Sequence, residues 1–182
     1  MVALYFASSK HFLDLAAQLA SLQRPFKRDA LSRVQLWKEK YTSADFRYKF
    51  LVLRGDSRSG KTTLAKSLFP NPFVQTVQNS TVPELRGFDW TYHRMIVFDN
   101  VNDDSFVLNW RALMQANNDM HVLGSSSTGM YAYRIWLWGV PIVMTVDLQA
   151  KWNSDDGWIR ENCVEVVFNE PCYCALDPGS FV

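Results

Sequence analysis

The chain has 182 residues and a formal net charge of +1, and 48% of its residues are hydrophobic and 14% aromatic. This length corresponds to about one domain, and this apolar content suffices for a buried core. No apolar run reaches the roughly 18–20 residues of a membrane-spanning helix, because Gly139 and Pro141 interrupt the longest candidate. The first residues lack the positive charge and the cleavage site of a signal peptide. We therefore expect an intracellular protein without membrane association.

The three cysteines, Cys163, Cys172 and Cys174, form neither an even disulfide framework nor a C-x-x-C pair. A reducing compartment is the default expectation for such a set. Cys172 and Cys174 could supply half of a metal site, but no histidine lies near them in the sequence. An ordinary C-terminal segment is the preferred interpretation.

Charge is distributed unevenly along the chain. Residues 1–66 contain 13 Lys or Arg against 5 Asp or Glu, whereas residues 67–182 contain 6 against 13. A basic first part suits a polyanion such as nucleic acid. The same side chains are equally compatible with a solvated helical face that keeps the protein soluble. Charge alone leaves both interpretations open.

Two amphipathic helices are predicted at the start of the chain. The first covers 8–23, begins at a serine that can cap it, and is ended by Pro25. The second begins near Asp29. Its apolar stripe consists of Leu31, Val34, Trp37 and Tyr41. We interpret residues 1–45 as a basic helical appendage for oligomerisation or DNA contact, and residues 46–182 as the main domain.

The most informative stretch is an apolar strand that continues as G-x-x-x-x-G-K-T into a helix. A strand before this motif and a helix after it are the context of a phosphate-binding P-loop. Gly55 and Gly60 are expected to let the backbone wrap around phosphate oxygens, with the amides of 59–62 pointing at the anion. Lys61 would reach the β- and γ-phosphates of ATP, and the Thr62 hydroxyl would hold Mg²⁺. The predicted nucleotide-binding residues are Gly55, Asp56, Ser57, Arg58, Ser59, Gly60, Lys61, Thr62 and Thr63.

A second motif follows a proline-rich stop at 70–72 and a predicted short strand over 73–77. Residues 95–98 are apolar and end in Asp99, which is the Walker B pattern. Such a buried strand delivers its carboxylate to the carboxyl edge of the sheet, where Asp99 can share Mg²⁺ with Thr62. The alternative is an ordinary core strand followed by an Asp-Asn turn, but the preceding P-loop favours the metal role.

The remaining chain alternates predicted strands and helices. The predicted elements are a helix over 107–117, a loop over 124–129, the return arm of a hairpin over 130–138, a strand over 140–147, a short helix within 155–162 and a strand over 164–168. This alternation predicts an α/β sandwich with a mainly parallel sheet.

The predicted hairpin is rich in aromatic residues, which we interpret as lying on one face of a strand. They are Tyr131, Tyr133, Trp136 and Trp138. Such a face could stack nucleobases. Packing within a half-buried hairpin is the more common use of this pattern.

Taken in order, these motifs resemble the superfamily 3 helicase domain of replication-associated (Rep) proteins of circular single-stranded DNA viruses. The resemblance covers residues 45–170 and includes a hairpin motif B′ over 121–138 and a motif C strand over 141–147. It implies an AAA+-like P-loop NTPase fold in three layers, and Mg²⁺-dependent ATP hydrolysis between subunits of a ring hexamer. It further implies unwinding of DNA, single-stranded DNA as partner, and the host nucleus as location if the host is a eukaryote.

The resemblance also assigns residues to roles. The implied catalytic residues are Lys61, Asp99, Asp147 and Arg160. The implied nucleic-acid contacts are Arg134, Tyr131 and Tyr133. Arg160 is the first candidate for the arginine that one subunit inserts into the site of its neighbour, and Arg134 is the second.

Three features depart from the family pattern. Asn100 replaces the second acidic residue of Walker B, which weakens hydrolysis without excluding it. Motif C ends in Thr-Val-Asp over 145–147 instead of Thr-Ser-Asn, and an aspartate beside a triphosphate is unfavourable unless a cation screens it. Arg134 is the lone basic residue of the B′ hairpin, since no lysine occurs from 67 to 150.

The residues of a Rep endonuclease are not found. His11, His93 and His121 are isolated in the sequence, and no Tyr-x-x-Lys occurs. We therefore expect a Rep-like helicase or ATPase domain that lacks the nuclease. The alternative is a catalytically impaired nucleotide-binding interaction module derived from a Rep protein. A P-loop small-molecule kinase is disfavoured, because no arginine-rich lid follows the motif.

Overall fold

The computed structural model describes residues 26–42, 48–77, 82–124 and 131–174. The first predicted helix, over 8–23, lies outside these residues. Within the described ranges, no helix has the length and the apolar character that crossing a membrane requires.

Seven strands and five helices make up the described chain. The strands are β1 (Phe50–Gly55), β2 (Pro72–Thr76), β3 (Met95–Asp103), β4 (Met120–Leu123), β5 (Tyr133–Trp136), β6 (Ile142–Lys151) and β7 (Cys163–Phe168). The helices are α1 (Arg28–Thr42), α2 (Lys61–Ser67), α3 (Ser105–Leu108), α4 (Arg111–Met114) and α5 (Gly157–Asn162).

Five strands form the main sheet in the order β2-β3-β6-β1-β7, and every neighbouring pair is parallel. Parallel strands all end at the same edge of the sheet. The motif C strand β6 lies between β1, which leads into the P-loop, and β3, which carries Asp99. The register places Gly55 beside Asp147. The three motifs therefore meet at one edge, as in an AAA+-like P-loop NTPase, and the predicted fold class is confirmed.

Side chains of the sheet alternate between two faces and build one core on each. Phe50 and Phe98 belong to the core covered by α3, α4, α5 and the β4–β5 hairpin. Leu51 and Val97 belong to the opposite core, which α1 and α2 cover. This alternation is the period-two geometry of strands, and it produces the predicted three layers.

Helix α1 packs on the sheet as part of the main domain. Its buried residues are Ala30, Val34, Trp37 and Tyr41. Leu31 was predicted to face inward, but it is 42% exposed and Ala30 takes that place. Positions 30, 34, 37 and 41 follow the i, i+4, i+7 and i+11 spacing of one helical stripe. The Trp37 indole donates to the carbonyl of Lys49 at 2.7 Å. The described residues of α1 therefore share one core with the sheet.

The first and last described segments meet beside the P-loop. Phe26 forms an antiparallel bridge with Tyr173, and the amide of Lys27 donates to the carbonyl of Cys172 at 2.7 Å. The amide of Cys172 in turn donates to the carbonyl of Ser59 at 2.7 Å. Both segments are thereby attached to the phosphate-binding loop.

The helix predicted over 107–117 is instead divided into α3 and α4. Trp110, between them, has φ −121° and ψ 33°, which lies outside the helical region. Helix α3 begins two residues earlier than predicted, directly after a turn in which the carboxylate of Asp103 accepts from the amide of Ser105 at 2.7 Å. A break in the backbone thus replaces one continuous helix.

Candidate functional site

The loop between β1 and α2 is curled by two residues in the left-handed region. Arg58 has φ 63° and Gly60 has φ 93°. Ser59 differs from its predicted role, because its amide donates to the carbonyl of Asp56 at 3.2 Å and closes a turn within the loop. The first-turn amides of Lys61 and its successor have no acceptor inside α2. These two amides are therefore able to donate hydrogen bonds to a bound anion.

Lys61 is 5% exposed, and four oxygen atoms surround its ammonium group, of which Ser59 Oγ is the most distant at 3.5 Å. Nζ donates to the carbonyl of Gly55 at 2.8 Å, to the carbonyl of Asp56 at 2.6 Å and to Oδ1 of Asp147 at 2.8 Å. An ammonium has three hydrogens, so these bonds use all of them. An incoming phosphate must replace one acceptor. Asp147 is the partner that can leave, because its side chain is 36% exposed and the other two acceptors are backbone.

A second group of hydrogen bonds surrounds Asp99. Its Oδ1 accepts from the Thr62 hydroxyl at 2.7 Å and from the Thr145 hydroxyl at 2.7 Å. Thr145 is buried and its hydroxyl also accepts from the amide of Asn100 at 2.9 Å. Thr145 was not predicted as a site residue. The available signal was a single hydroxyl in the otherwise apolar run 142–146.

Asn100 lies at an irregularity in β3. The pairing of β3 with β6 shifts register between Phe98 and Val101, and Asn100 has φ 62°. Asparagine adopts this left-handed conformation more readily than most residues, which suits it to a bulge. The side-chain amide of Asn100 can donate or accept a hydrogen bond, but unlike a carboxylate it cannot take a proton from water.

Thr62 and Asp99 fit the requirements of a magnesium ion. Mg²⁺ takes oxygen ligands, usually one or two carboxylates together with phosphate oxygens of a substrate. The Thr62 hydroxyl and the Asp99 carboxylate offer such atoms at the edge of the sheet. Within the described ranges, no three or more His, Cys, Asp or Glu side chains come together as a preassembled metal site. The residues present therefore suit an ion that arrives with a phosphate group.

The two glycines of the motif make room for other parts of the protein. A Cβ on Gly55 would stand 2.9 Å from the carbonyl oxygen of Phe168 in β7. A Cβ on Gly60 would stand 2.6 Å from the ring of Tyr173. Close packing against β7 and Tyr173 is therefore a constraint on these two positions in addition to the predicted space for phosphate oxygens.

These groups line a cavity of about 460 Å³ at the carboxyl edge of the sheet. Its volume falls within the roughly 300–1,000 Å³ of typical ligand sites. The lining comprises residues 57–63, Thr76, Asp99, Asn100, Thr145, Asp147 and Tyr173. Gly55 and Asp56 contribute indirectly, through the carbonyls that hold Lys61. Tyr173 and Thr76 were not predicted, because sequence separates them from the motifs.

Two predicted arginines lie outside the cavity. Arg160 is exposed on α5, and the carboxylate of Asp156 caps the start of that helix by accepting from the amides of Trp158 and Ile159 at 2.9 and 3.0 Å. Arg134 is exposed on β5. Neither lines the P-loop cavity of its own chain. Their predicted roles at a γ-phosphate therefore require a second subunit.

The predicted common face of the hairpin aromatics is wrong, because positions 133 and 136 have opposite parity along a strand. The Tyr133 hydroxyl accepts from the amide of Leu85 at 2.6 Å, and burial raises the pKa of Tyr133. Trp136 is instead 40% exposed, and the centroid of its ring lies 5.8 Å from that of Trp138. Tyr131 is 61% exposed. The outward face of β4 and β5 carries Met120, Val122, Arg134 and Trp136.

The three cysteines are free thiols. Burial raises the pKa of the Cys172 thiol, and burial raises that of Cys163 to about 12. Both thiols are therefore protonated and unreactive at neutral pH. Cys172 and Cys174 belong to no metal cluster among the described side chains.

No protein-family model matches the sequence, and no curated protein matches it. Among solved structures, the chain is similar to that of a possible uridine kinase from Bacillus stearothermophilus. The two chains share 16% sequence identity with a TM-score of 0.36, and the match covers 76% of this chain and 80% of that chain. Similarity at this level assigns neither a family nor a substrate, so the proposals below depend on the geometry of the site.

Proposed function

We propose that the chain is an ATP-dependent helicase or ATPase domain of the Rep-like superfamily 3 type, without the endonuclease. One observation carries the proposal. Lys61, Asp99 and Asp147 end up side by side because β6 lies between the P-loop strand and the Walker B strand. A third motif in that position is what the AAA+-like arrangement requires.

The site has the parts that phosphoryl transfer needs. Catalysis of this reaction depends almost entirely on positioning and on charge stabilisation around the phosphates. Lys61 brings a buried positive charge, and exchange of Asp147 for phosphate oxygens leaves that carboxylate beside the terminal phosphate. There Asp147 can orient an attacking water molecule. Thr62 and Asp99 would hold Mg²⁺, which supplies charge neutralisation when bound.

Exposed residues support action on DNA within an oligomer. The outward hairpin face combines Arg134 with exposed apolar side chains, among them Trp136. An arginine beside an aromatic surface is the combination that binds single-stranded nucleic acid through phosphate contact and base stacking. Arg160 lies exposed outside the cavity, where it can serve the site of a neighbouring subunit in a ring.

The second candidate is a nucleotide-binding interaction module with impaired catalysis. The observation that favours it is the ion pair between Lys61 and Asp147, together with the side-chain amide of Asn100 in place of a second carboxylate. In this version, the chain binds nucleotide and changes its interactions without rapid turnover. Both candidates need the P-loop, and they differ in hydrolysis.

The deciding experiment measures ATP binding and phosphate release with Mg²⁺, with and without single-stranded DNA. We expect turnover that DNA stimulates and that added salt reduces, because DNA binding rests on phosphate contacts. Lys61→Ala removes a buried charge that faces the phosphates, so it should weaken ATP binding by about 30-fold or more and abolish turnover. Lys66→Ala, an exposed lysine of the same helix, is the matched control and should behave as the parent.

Each alternative result has a clear meaning. Unchanged ATP affinity in Lys61→Ala would exclude the nucleotide site. Tight ATP binding without turnover under any condition would favour the interaction module.

A further inference from the structure

One side chain in the P-loop cavity differs in kind from all the others. The described lining consists of glycine, hydroxyl, amide and charged side chains, with the single exception of the aromatic ring of Tyr173. Phosphates and a magnesium ion account for the polar residues. A nucleoside also presents a flat aromatic base, for which polar side chains provide no matching surface.

The ring of Tyr173 is held in place from several sides. Phe26 stacks on one face, with ring centroids 5.3 Å apart and planes 16° apart. The edge of the ring rests on Gly60, whose missing Cβ would stand 2.6 Å from Cε2. The preceding amide, of Cys172, donates to the carbonyl of Ser59 at 2.7 Å. The ring fixed in this way is half-buried, and Tyr173 is part of the cavity lining.

The strand order determines the direction in which a bound nucleotide runs. Asp99 and Asp147, which suit the terminal phosphate, lie on β3 and β6, on one side of β1. Strand β7 lies on the other side of β1, and the chain continues from its end to Tyr173. A triphosphate with its γ end at Asp99 therefore directs its nucleoside towards the β7 side.

We propose that Tyr173 is the nucleobase subsite of this P-loop, stacking the base of the nucleotide on the ring face opposite Phe26. The inference rests on the proposed function, since it assumes that a nucleotide occupies the cavity. Phe26 is a positioning residue, because its stacked ring holds the ring of Tyr173 in place beside the P-loop. Recognition by stacking tolerates different bases, because every base has an aromatic face.

The test compares two ligands by isothermal titration calorimetry, Mg·ATP and Mg·tripolyphosphate, of which only the first carries a base. We expect the parent to bind ATP more tightly than tripolyphosphate. Tyr173→Ala should weaken ATP binding roughly 5- to 150-fold, the range of one lost stacking contact, and leave tripolyphosphate binding unchanged. Tyr173→Phe and Tyr173→Trp should retain ATP affinity.

Two further variants protect the test against loss of structure. Tyr173→Leu keeps an apolar contact with Gly60 and Phe26 but has no aromatic face, so it should behave as Tyr173→Ala does. Tyr92→Ala removes a tyrosine that is 58% exposed and does not line the cavity, so it should match the parent. Circular dichroism spectra confirm that the variants compared are folded.

Several results would overturn the proposal. Equal loss of both ligands in Tyr173→Ala would make Tyr173 a support of the loop, and tighter binding of both would make its ring an obstruction. Equal affinity of the parent for both ligands would reject the base subsite but keep the P-loop proposal. Binding of neither ligand to the parent would reject the nucleotide site and this inference together.

Discussion

At the scale of single residues, β6 joins the two halves of the site. Lys61 bonds to Asp147, and Asp99 bonds to Thr145, two positions earlier on the same face of the strand. The P-loop and the Walker B strand are therefore both hydrogen-bonded to one segment. A change at either can alter the other through β6.

The role of Asp99 can be tested through its metal dependence. Asp99→Asn removes the charge that attracts Mg²⁺, so ATP should still bind weakly while Mg²⁺ no longer strengthens binding. Thr145→Val keeps the carboxylate but removes one hydrogen bond that orients it, so the effect of Mg²⁺ should decrease without disappearing. ATP titrations at a series of Mg²⁺ concentrations measure both effects. Mg²⁺ enhancement in Asp99→Asn equal to that of the parent would make Asp99 a structural turn residue.

The partner of Lys61 offers a second test. Asp147→Asn removes a negative charge beside the phosphate position and releases the lysine from an ion pair. ATP affinity should rise at least about fivefold, since a unit charge a few ångströms away is worth on the order of 1 kcal/mol even in water. Turnover should fall if the carboxylate orients water. Asp155→Asn, at an exposed position, is the control, and unchanged affinity in Asp147→Asn would contradict the proposed exchange.

The residues of the two Walker motifs could be predicted because each motif is contiguous and its chemistry depends on local spacing. Lys61, Asp99 and Asp147 indeed come together at one cavity. Thr145 and Tyr173 could not be assigned in this way. Their positions in the cavity lining arise because β6 is inserted between β1 and β3 and because the segment after β7 folds back over the loop. Such contacts depend on strand order, which local spacing does not specify.

At the scale of elements, the hairpin is fixed to the rest of the domain through its inner face. Tyr133 points inward, and its hydroxyl accepts a hydrogen bond from the amide of Leu85. The guanidinium of Arg86 lies 5.3 Å from the centre of the same ring and donates to the carbonyl of Tyr131 at 3.1 Å. One tyrosine thus connects β5 to the segment that follows β2.

Tyr133→Phe tests this connection. The variant leaves the amide of Leu85 without its acceptor, so the free energy of unfolding should fall by about 1–3 kcal/mol. Urea denaturation followed by circular dichroism measures the change. Tyr131→Phe, at a position that is 61% exposed, should have no measurable effect. Equal stability of the parent and Tyr133→Phe would show that water replaces the hydroxyl.

Element types were predictable to the extent that the hydrophobic period was unambiguous. The apolar strands of the sheet were found, because buried parallel strands are continuous apolar runs. The faces of α1 and of β5 were assigned less well. Ala30 is too small to indicate burial beside the larger Leu31. The hairpin aromatics were assigned to one face because of their residue type, although positions 133 and 136 are an odd number of residues apart and so lie on opposite faces of a strand.

At the scale of the whole molecule, Arg160 is exposed and does not line the P-loop cavity of its own chain. If a neighbouring subunit supplies this arginine to the site, Arg160→Ala should lose about 10³–10⁵ in turnover. Nucleotide affinity should persist, because such an arginine acts mainly in the transition state. Arg28→Ala, exposed on α1, is the control. Phosphate release per subunit should also rise with protein concentration in the parent.

Mixing two inactive variants separates assembly from a local effect. In a mixture of Arg160→Ala and Lys61→Ala, some interfaces pair an intact P-loop with an intact arginine. Partial return of turnover is expected. Turnover strictly proportional to enzyme concentration, together with full activity of Arg160→Ala, would exclude a shared site.

The meeting of Phe26, Tyr173 and the P-loop has a mechanical consequence. Phe26 and Tyr173 pair in an antiparallel bridge. The amide of the adjacent residue, Cys172, donates a hydrogen bond to the carbonyl of Ser59 in the P-loop. Tension applied along the chain from either direction is therefore passed to the phosphate loop through Cys172, which is also buried in the core under α1 and α2. The same contacts act in the opposite direction, so that a movement of the loop at Ser59 would be passed to both the Phe26 and the Tyr173 segments.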